Sequence, residues 1–331
     1  MVTLVAVGDL YCSREDPIVA VEKVLPDIKA ADIAFCNLEG PITNRPHVRG
    51  PYPLPQSLKT VDMLREASFN IVSFANNHAL DCGIEGFLQT LTLLKKNNIK
   101  YVGAGMNLAE ARSPVVIEQK GLHVAFLAYA SFFPVGDPAT SWKPGIAVVR
   151  VDPRFEAPHV DLEDLVEMQN DIKRAKAIAD TVVVSHHWGA EPTYTLTVHQ
   201  RAIAHASIDA GADLVLGHHP HVLQGIEIYK GKIICYSLSN FIFDPTPLTG
   251  RIPDVFRDGW RESIILNCHL SKGRVEKAFF YPIYINENGQ PEKLDSKDER
   301  FQKIVNLMEK LSKPFGTSLI VDENKVWILG S

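Results

Sequence analysis

The stretch Leu214-Val215-Leu216-Gly217-His218-His219-Pro220-His221 is an apolar, strand-like run that stops at a glycine and delivers three imidazoles within four positions. Three such rings repel one another if protonated, and each costs desolvation if buried without a partner. A divalent metal removes both problems by taking neutral imidazoles as donors. The competing reading is an exposed polyhistidine loop. What decides between them is whether other segments end their strands in the same way.

Four do: Gly8-Asp9, Asn37-Leu38-Glu39-Gly40, Asn76-Asn77-His78 and Ser185-His186-His187-Trp188-Gly189 each follow an apolar run. Taken singly they are weak. A Gly-Asp pair also fits a turn or a helix cap, Glu39 fits a solvated loop, and His187 fits a core histidine. As an ordered set they predict carboxylate, amide and imidazole groups converging from the ends of successive strands on a site for one or two divalent metals. A mixed oxygen and nitrogen set suits Mn, Fe, Zn or Co, with Mn the working choice. Two metals about 3.5–4 Å apart can clamp a phosphoryl or carbonyl oxygen.

Between these segments the pattern alternates. Strand-like runs at 4–7, 33–36, 71–75 and 100–102 are separated by helical periodicity at 17–31, 58–67 and 84–96, which predicts a largely parallel sheet with right-handed crossovers. Residues 115–118 and 122–129 read as a hairpin about Lys120-Gly121. Helix 162–179, strand 181–184, helix 198–210 (closed by Gly211) and strand 214–216 continue the rhythm. Strands at 225–228, 232–237, 264–270 and 275–285, a helix at 301–311 and a strand at 325–329 are expected to build a second sheet packed on the first. Residues 41–56 and 131–158 are proline-rich and aperiodic, and the first of these is expected to wall the site. The whole reads as one domain over 1–331, with its core in 1–244.

Composition narrows the partners. The chain has 331 residues, 46% hydrophobic and 22% charged, with a formal charge of −5, so there is no basic excess to attract nucleic acid or an anionic membrane. No apolar run reaches the ~18 residues of a spanning helix, and the first residues read as a core strand and not as a leader. A cytoplasmic protein with no membrane insertion is expected, with protein partners left open. The five cysteines form no CxxC pair and read as buried thiols in a reducing compartment. Cys12 and Cys36 fall close to the candidate ligands in sequence. His47, His123, His159, His199, His205 and His269 read as structural or surface residues.

At Val7-Gly8-Asp9, Asn37-Leu38-Glu39-Gly40-Pro41, Ala75-Asn76-Asn77-His78-Ala79-Leu80-Asp81, His187-Trp188-Gly189, Gly217-His218-His219-Pro220-His221-Val222 and Ser239-Asn240-Phe241 the chain resembles the CapA family of capsule and poly-γ-glutamate synthesis. That family is similar to the calcineurin-like metallophosphatases. The resemblance implies an α/β fold, a four-layer α/β/β/α sandwich with mixed sheets. It also implies a ligand set in which Asp9, Glu39 and His221 hold one metal, and Glu39, Asn77, His187 and His219 the other. His78 would act as general acid or as a clamp on transition-state charge. His186 and His218 fall outside that set. Tyr11 stands where metallophosphatases carry a histidine, and Glu39 replaces their bridging aspartate.

Three functions compete. The first is a metal-dependent hydrolase of a phosphoester or related bond. The second is a transferase, peptidase or epimerase on a γ-glutamyl or peptide-like substrate, with Glu191 and His78 as bases. The third is a non-catalytic metal-binding partner in polymer synthesis.

Overall fold

The computed structural model describes residues 1–45, 48–50, 52–152, 159–244 and 259–330. It is a mixed α/β fold built on two large mixed sheets. The first strand, Val2–Tyr11, lies inside a ten-stranded sheet. On one side it pairs in parallel with Ile33–Leu38, and Ile71–Ser73 and Lys100–Val102 continue that parallel run. These are the expected β-α-β crossovers, and the crossover chain is helical at Thr60–Glu66 and Gly83–Lys96.

On its other side Val2–Tyr11 pairs antiparallel with Glu262–Ser271, which leads to Arg274–Ile285, Lys325–Leu329 and Ser318–Asp322. These strands therefore extend the first sheet, and of the strands expected in a second sheet only those at 226–229 and 232–235 join it. The second sheet is six-stranded and comes from the middle of the chain, in the order Ile226–Tyr229, Lys232–Cys235, Leu214–His218, Thr181–His187, Leu122–Ala130 and Val115–Gln119. Alternation along a strand cannot say which sheet a strand joins, because that depends on partners distant in the chain.

The two faces of the second sheet sort the core. Val124, Phe126, Ala128, Val183, Leu214 and Leu216 share one hydrophobic cluster with Leu4, Ala6, Phe35 and Ile264 of the first sheet. Their neighbours Ala125, Leu127, Val182, Val184 and Val215 face the other way, onto Met168, Ile172, Ile203 and Ala204. Those four lie on helices Leu162–Ile178 and Val198–Ala210. This is the period of two that places successive side chains on opposite faces. Asp161 caps the first helix by accepting from Asp164 N–H at 3.0 Å. A Thr197/Gln200 capping box opens the second, and Gly211 at φ 118° closes it, where a side chain would be strained.

Other expectations need correction. The helix expected at 17–31 is two short ones, Ile18–Val21 and Leu25–Lys29, because Pro26 cannot donate to the preceding turn. The strands expected to stop at 184 and 216 run on to His187 and His218, so those histidines close strands and do not begin loops. Strands Asn240–Phe243, Pro291–Lys293 and Ser318–Asp322 escaped the sequence reading, as did the two-residue strands Ala104–Gly105 and His159–Val160. In the segment 131–158, two-residue strands occur at Gly145–Ile146 and Val151–Asp152, and 153–158 lie outside the described residues. His47 does too.

Candidate metal centre

The site forms where the first sheet's parallel strands end. Val2–Tyr11 pairs with Glu262–Ser271 only as far as Ala6, and its register slips between Ala6 and Asp9. From Asp9 on it takes a new parallel partner, Asn240–Phe243. Such an irregularity bends a strand and re-aims a side chain. Gly8 makes it possible, because a Cβ there would lie 1.9 Å from the carbonyl oxygen of Ser239. Asp9 N–H donates to that same oxygen at 2.9 Å.

Residues from both sheets meet beyond this point. Asp9 Oδ2 lies 3.5 Å from His221 Nδ1, and His221 Nε2 lies 3.5 Å from Glu39 Oε1. His187 Nε2 is 3.9 Å from Glu39 Oε1 and 2.7 Å from Asn77 Oδ1. The ring of His219 sits 4.7 Å from that of His187, and its Nε2 is 3.6 Å from Glu191 Oε1. Three groupings bring one ligand atom from each member within 4.8 Å of the others: Asp9, Glu39 and His221; Glu39, His187 and His219; and Glu191, His219 and His221.

The backbone is bent to present these rings. His219 and His221 have φ of 95° and 55°, in the region that L-residues avoid at a cost of order 1–3 kcal/mol each. Surrounding hydrogen bonds hold them there. His219 N–H donates to Asp9 Oδ2 at 3.1 Å, and His221 Nδ1 meets Asn240 Oδ1 at 2.8 Å. The Asn37 amide donates to Asp9 Oδ1 at 2.8 Å.

Electrostatics tests whether a cation fits. Asp9, Glu39, His187, His219 and His221 are all buried. Burial pushes the Glu39 carboxyl well above the usual carboxylate range, and the Asp9 charge adds to that. Burial alone would raise Asp9 as well, but His218, His221 and the Asn37 amide hold it below its ordinary value. Burial and the neighbouring imidazoles push His187 and His219 far down, which keeps them neutral. Neither Glu39 oxygen has a hydrogen-bond donor among the described residues. A dry, unpaired carboxylate costs roughly several kcal/mol. Neutral imidazole lone pairs and two carboxylates around it are the donor set that suits a divalent transition metal. The residues present therefore fit the implied group.

The cluster opens into a cavity of about 380 Å³ lined by Asn77, His78, Asp81, Glu191, His221 and Phe243 together with the surrounding loops. His78 Nδ1 lies 2.7 Å from Asp81 Oδ2, leaving Nε2 as the ring nitrogen outside that pair. Segment 41–56 supplies Arg49, Tyr52 and Leu54 to the wall, and the second proline-rich segment supplies Phe132, Phe133 and Pro134.

The structure thus brings Asp9, Glu39, Asn77, His187, His219 and His221 together, with His78 and Glu191 at the same cavity. Glu191 also joins one of the ligand-type groupings. His218 is close, its Nδ1 3.2 Å from Asp9 Oδ1. His186 turns away, stacks on Trp188 at 4.6 Å and meets Ser207 Oγ at 3.0 Å. Tyr11 packs on Phe243 at 5.4 Å. Cys12 and Cys36 are buried free thiols outside the ligand groupings. His123, His205 and His269 pair with Asp180, Glu227 and Phe279, His199 accepts from Gly189 N–H, and His159 is exposed. Sequence reasoning missed the roles of Asn37, Asp81 and Asn240. All three stood inside the quoted motifs, so the signal was present but could not be assigned without partners. Phe132 gave no signal, since its segment has no periodicity.

A family model described as bacterial capsule synthesis protein PGA_cap matches residues 3–245. The PGA biosynthesis protein CapA of Bacillus subtilis (strain 168) is 32% identical over 336 residues, covering 97% of this chain and 80% of that protein. The capsule biosynthesis protein CapA of Bacillus anthracis is 31% identical over 310 residues, covering 89% of this chain and 70% of that one. A probable polyglutamine synthesis accessory protein of Mycobacterium tuberculosis is 28% identical over 300 residues, covering 88% and 75%.

Proposed function

Since the chain belongs to the bacterial capsule synthesis protein PGA_cap family, we propose that it is a metal-dependent hydrolase of a phosphoester or related bond, serving metabolism of a poly-γ-glutamate or capsule polymer. One observation carries this reading: the buried Glu39 carboxylate has no hydrogen-bond donor among the described residues and faces His187 and His221. Asp9, Glu39 and His221 would hold one cation, and Glu39, Asn77, His187 and His219 a second, with manganese the working choice. A divalent cation bound there supplies Lewis-acid polarisation and a water of lowered pKa.

The chain's own residues do the rest. Asn37 and the His219 amide fix the Asp9 carboxylate. Asn240 orients the His221 ring, as partners of ligating histidines do. His78 faces the cavity with Asp81 behind it, placed to hold or deliver a proton at Nε2 to a leaving oxygen. The aromatic wall lowers the polarity beside the reacting group, which strengthens the charge interactions there.

Manganese-loaded protein assayed on aryl phosphate mono- and diesters should turn over, and His219→Ala should abolish turnover. Silence across the panel with metal demonstrably bound would remove the reading. The five cysteines are buried free thiols, the state that a reducing compartment maintains, which supports a cytoplasmic setting. No helix among the described residues is long and apolar enough to cross a membrane.

A second reading has its own support. His78 and Glu191 line one cavity, as two bases flanking a carbon α to a carbonyl would. Deuterium uptake into a γ-glutamyl peptide without bond cleavage would favour that chemistry.

A further inference from the structure

The walls of the cavity differ in character from its floor. Phe132, Phe133, Pro134, Tyr52, Leu54 and Phe243 line the cavity beside the metal-ligand cluster. Phe132 lies nearly parallel to the His219 ring, at 4.6 Å and 24°, yet it is 51% exposed. One face of this ring thus rests on a candidate ligand, and about half of the residue remains exposed. Tyr52, in the same lining, is 58% exposed. Exposed aromatic rings beside a reactive centre are placed to stack on a planar group and to do so at low entropic cost.

Charge argues in the same direction. Among the described lining residues Arg49 is the single Lys or Arg, and it is already engaged by Asp137 Oδ1 at 2.9 Å. Asp81 and Glu191 are acids in the same lining. Away from any bound metal, a chain bearing one carboxylate per residue would meet these two acids and, among the described lining residues, only Arg49 as a side-chain cation.

Resting on the hydrolase reading for the reacting group, we propose that the substrate joins that group to a planar aromatic ring which stacks on the exposed Phe132 side chain, and that the cavity does not seat an anionic polymer chain. The polymer's own segments would then be neither its substrate nor its product, and the reaction would serve synthesis through a small aromatic ester.

Binding of non-hydrolysable probes to manganese-loaded protein, measured by calorimetry, tests this without turnover. Phenylphosphonate should bind about tenfold more tightly than cyclohexylphosphonate. Tri-γ-glutamate should bind more weakly than either. Phe132→Leu should level the two ring probes, and Phe132→Tyr should preserve the preference, with manganese content measured in each. Equal binding of phenyl and cyclohexyl probes by the unaltered protein, or tighter binding of tri-γ-glutamate, overturns the proposal whether or not the variants fold. A protein that shows the ring preference but hydrolyses no phosphoester keeps this inference and loses the hydrolase reading. Turnover without any ring preference does the reverse.

Discussion

His78 Nδ1 and Asp81 Oδ2 are 2.7 Å apart, and the same aspartate oxygen accepts from Leu54 N–H at 2.8 Å. One carboxylate therefore fixes both the tautomer of the ring facing the cavity and the loop that walls it. Replacing His78 by Ala should lower kcat about 10²–10⁴-fold, the usual worth of a positioned acid or base. Asp81→Asn keeps an oxygen for Leu54 but loses the charge, so kcat should fall by less than in His78→Ala. Bound manganese should stay constant. A kcat equal to that of the unaltered protein would make Asp81 merely a loop anchor.

Glu39 offers a prediction whose sign depends on metal. Without a cation its carboxylate is buried beside Asp9 with no donor among the described residues, and Gln has no charge to desolvate. In the presence of a chelator Glu39→Gln should therefore melt at a higher temperature than the unaltered protein. With saturating manganese the order should reverse, because the substitution removes an anionic ligand and binding stabilises the native state as the logarithm of ligand excess. Thermal melts in both conditions, with metal content measured, decide it. The same ordering in both would separate Glu39 from the metal.

How much of this was legible in the sequence follows from what local pattern can encode. Asp9, Glu39, Asn77, His187, His219 and His221 were readable because each closes an apolar run, and parallel strands bring their ends to one edge. Asn240 was not, since its strand is short and its meaning lies in pairing with Asp9, 231 positions away. The destination of Glu262–Ser271 was likewise hidden, because an alternating strand fits either sheet equally well. Pro26 marks where the helix breaks, although the apolar spacing runs on across it.

Gly8 provides a structural test of how Asp9 is aimed. A Cβ there would meet backbone, at 1.9 Å from Ser239 O and 2.9 Å from Leu238 O, and backbone cannot give way as a flexible side chain can. Gly8→Ala should destabilise by at least the ~1–3 kcal/mol typical of overpacking. It should also weaken manganese binding, because it pushes Asn240–Phe243 off the first strand and withdraws the partner of His221. Denaturant midpoints and metal affinity should fall together. A variant of unchanged stability would show that the two strands are not in such close contact.

His199 sets an acid limit on stability that is separable from the metal ligands. Its side chain is buried, it accepts from Gly189 N–H at 3.3 Å, and burial pushes its pKa down to about 4. In the unfolded chain an ordinary histidine titrates near 6.5. As pH falls below that value the unfolded state takes up a proton that the folded state refuses, so stability declines until the pH reaches about 4. The slope from this one group approaches roughly 1.4 kcal/mol per pH unit. His199→Gln retains an acceptor and cannot protonate in this range. Between pH 7 and pH 4.5 the variant should lose less stability than the unaltered protein, compared in chelator so that ligand histidines are treated alike. Parallel stability curves for the two would mean that the folded state tolerates a charged His199.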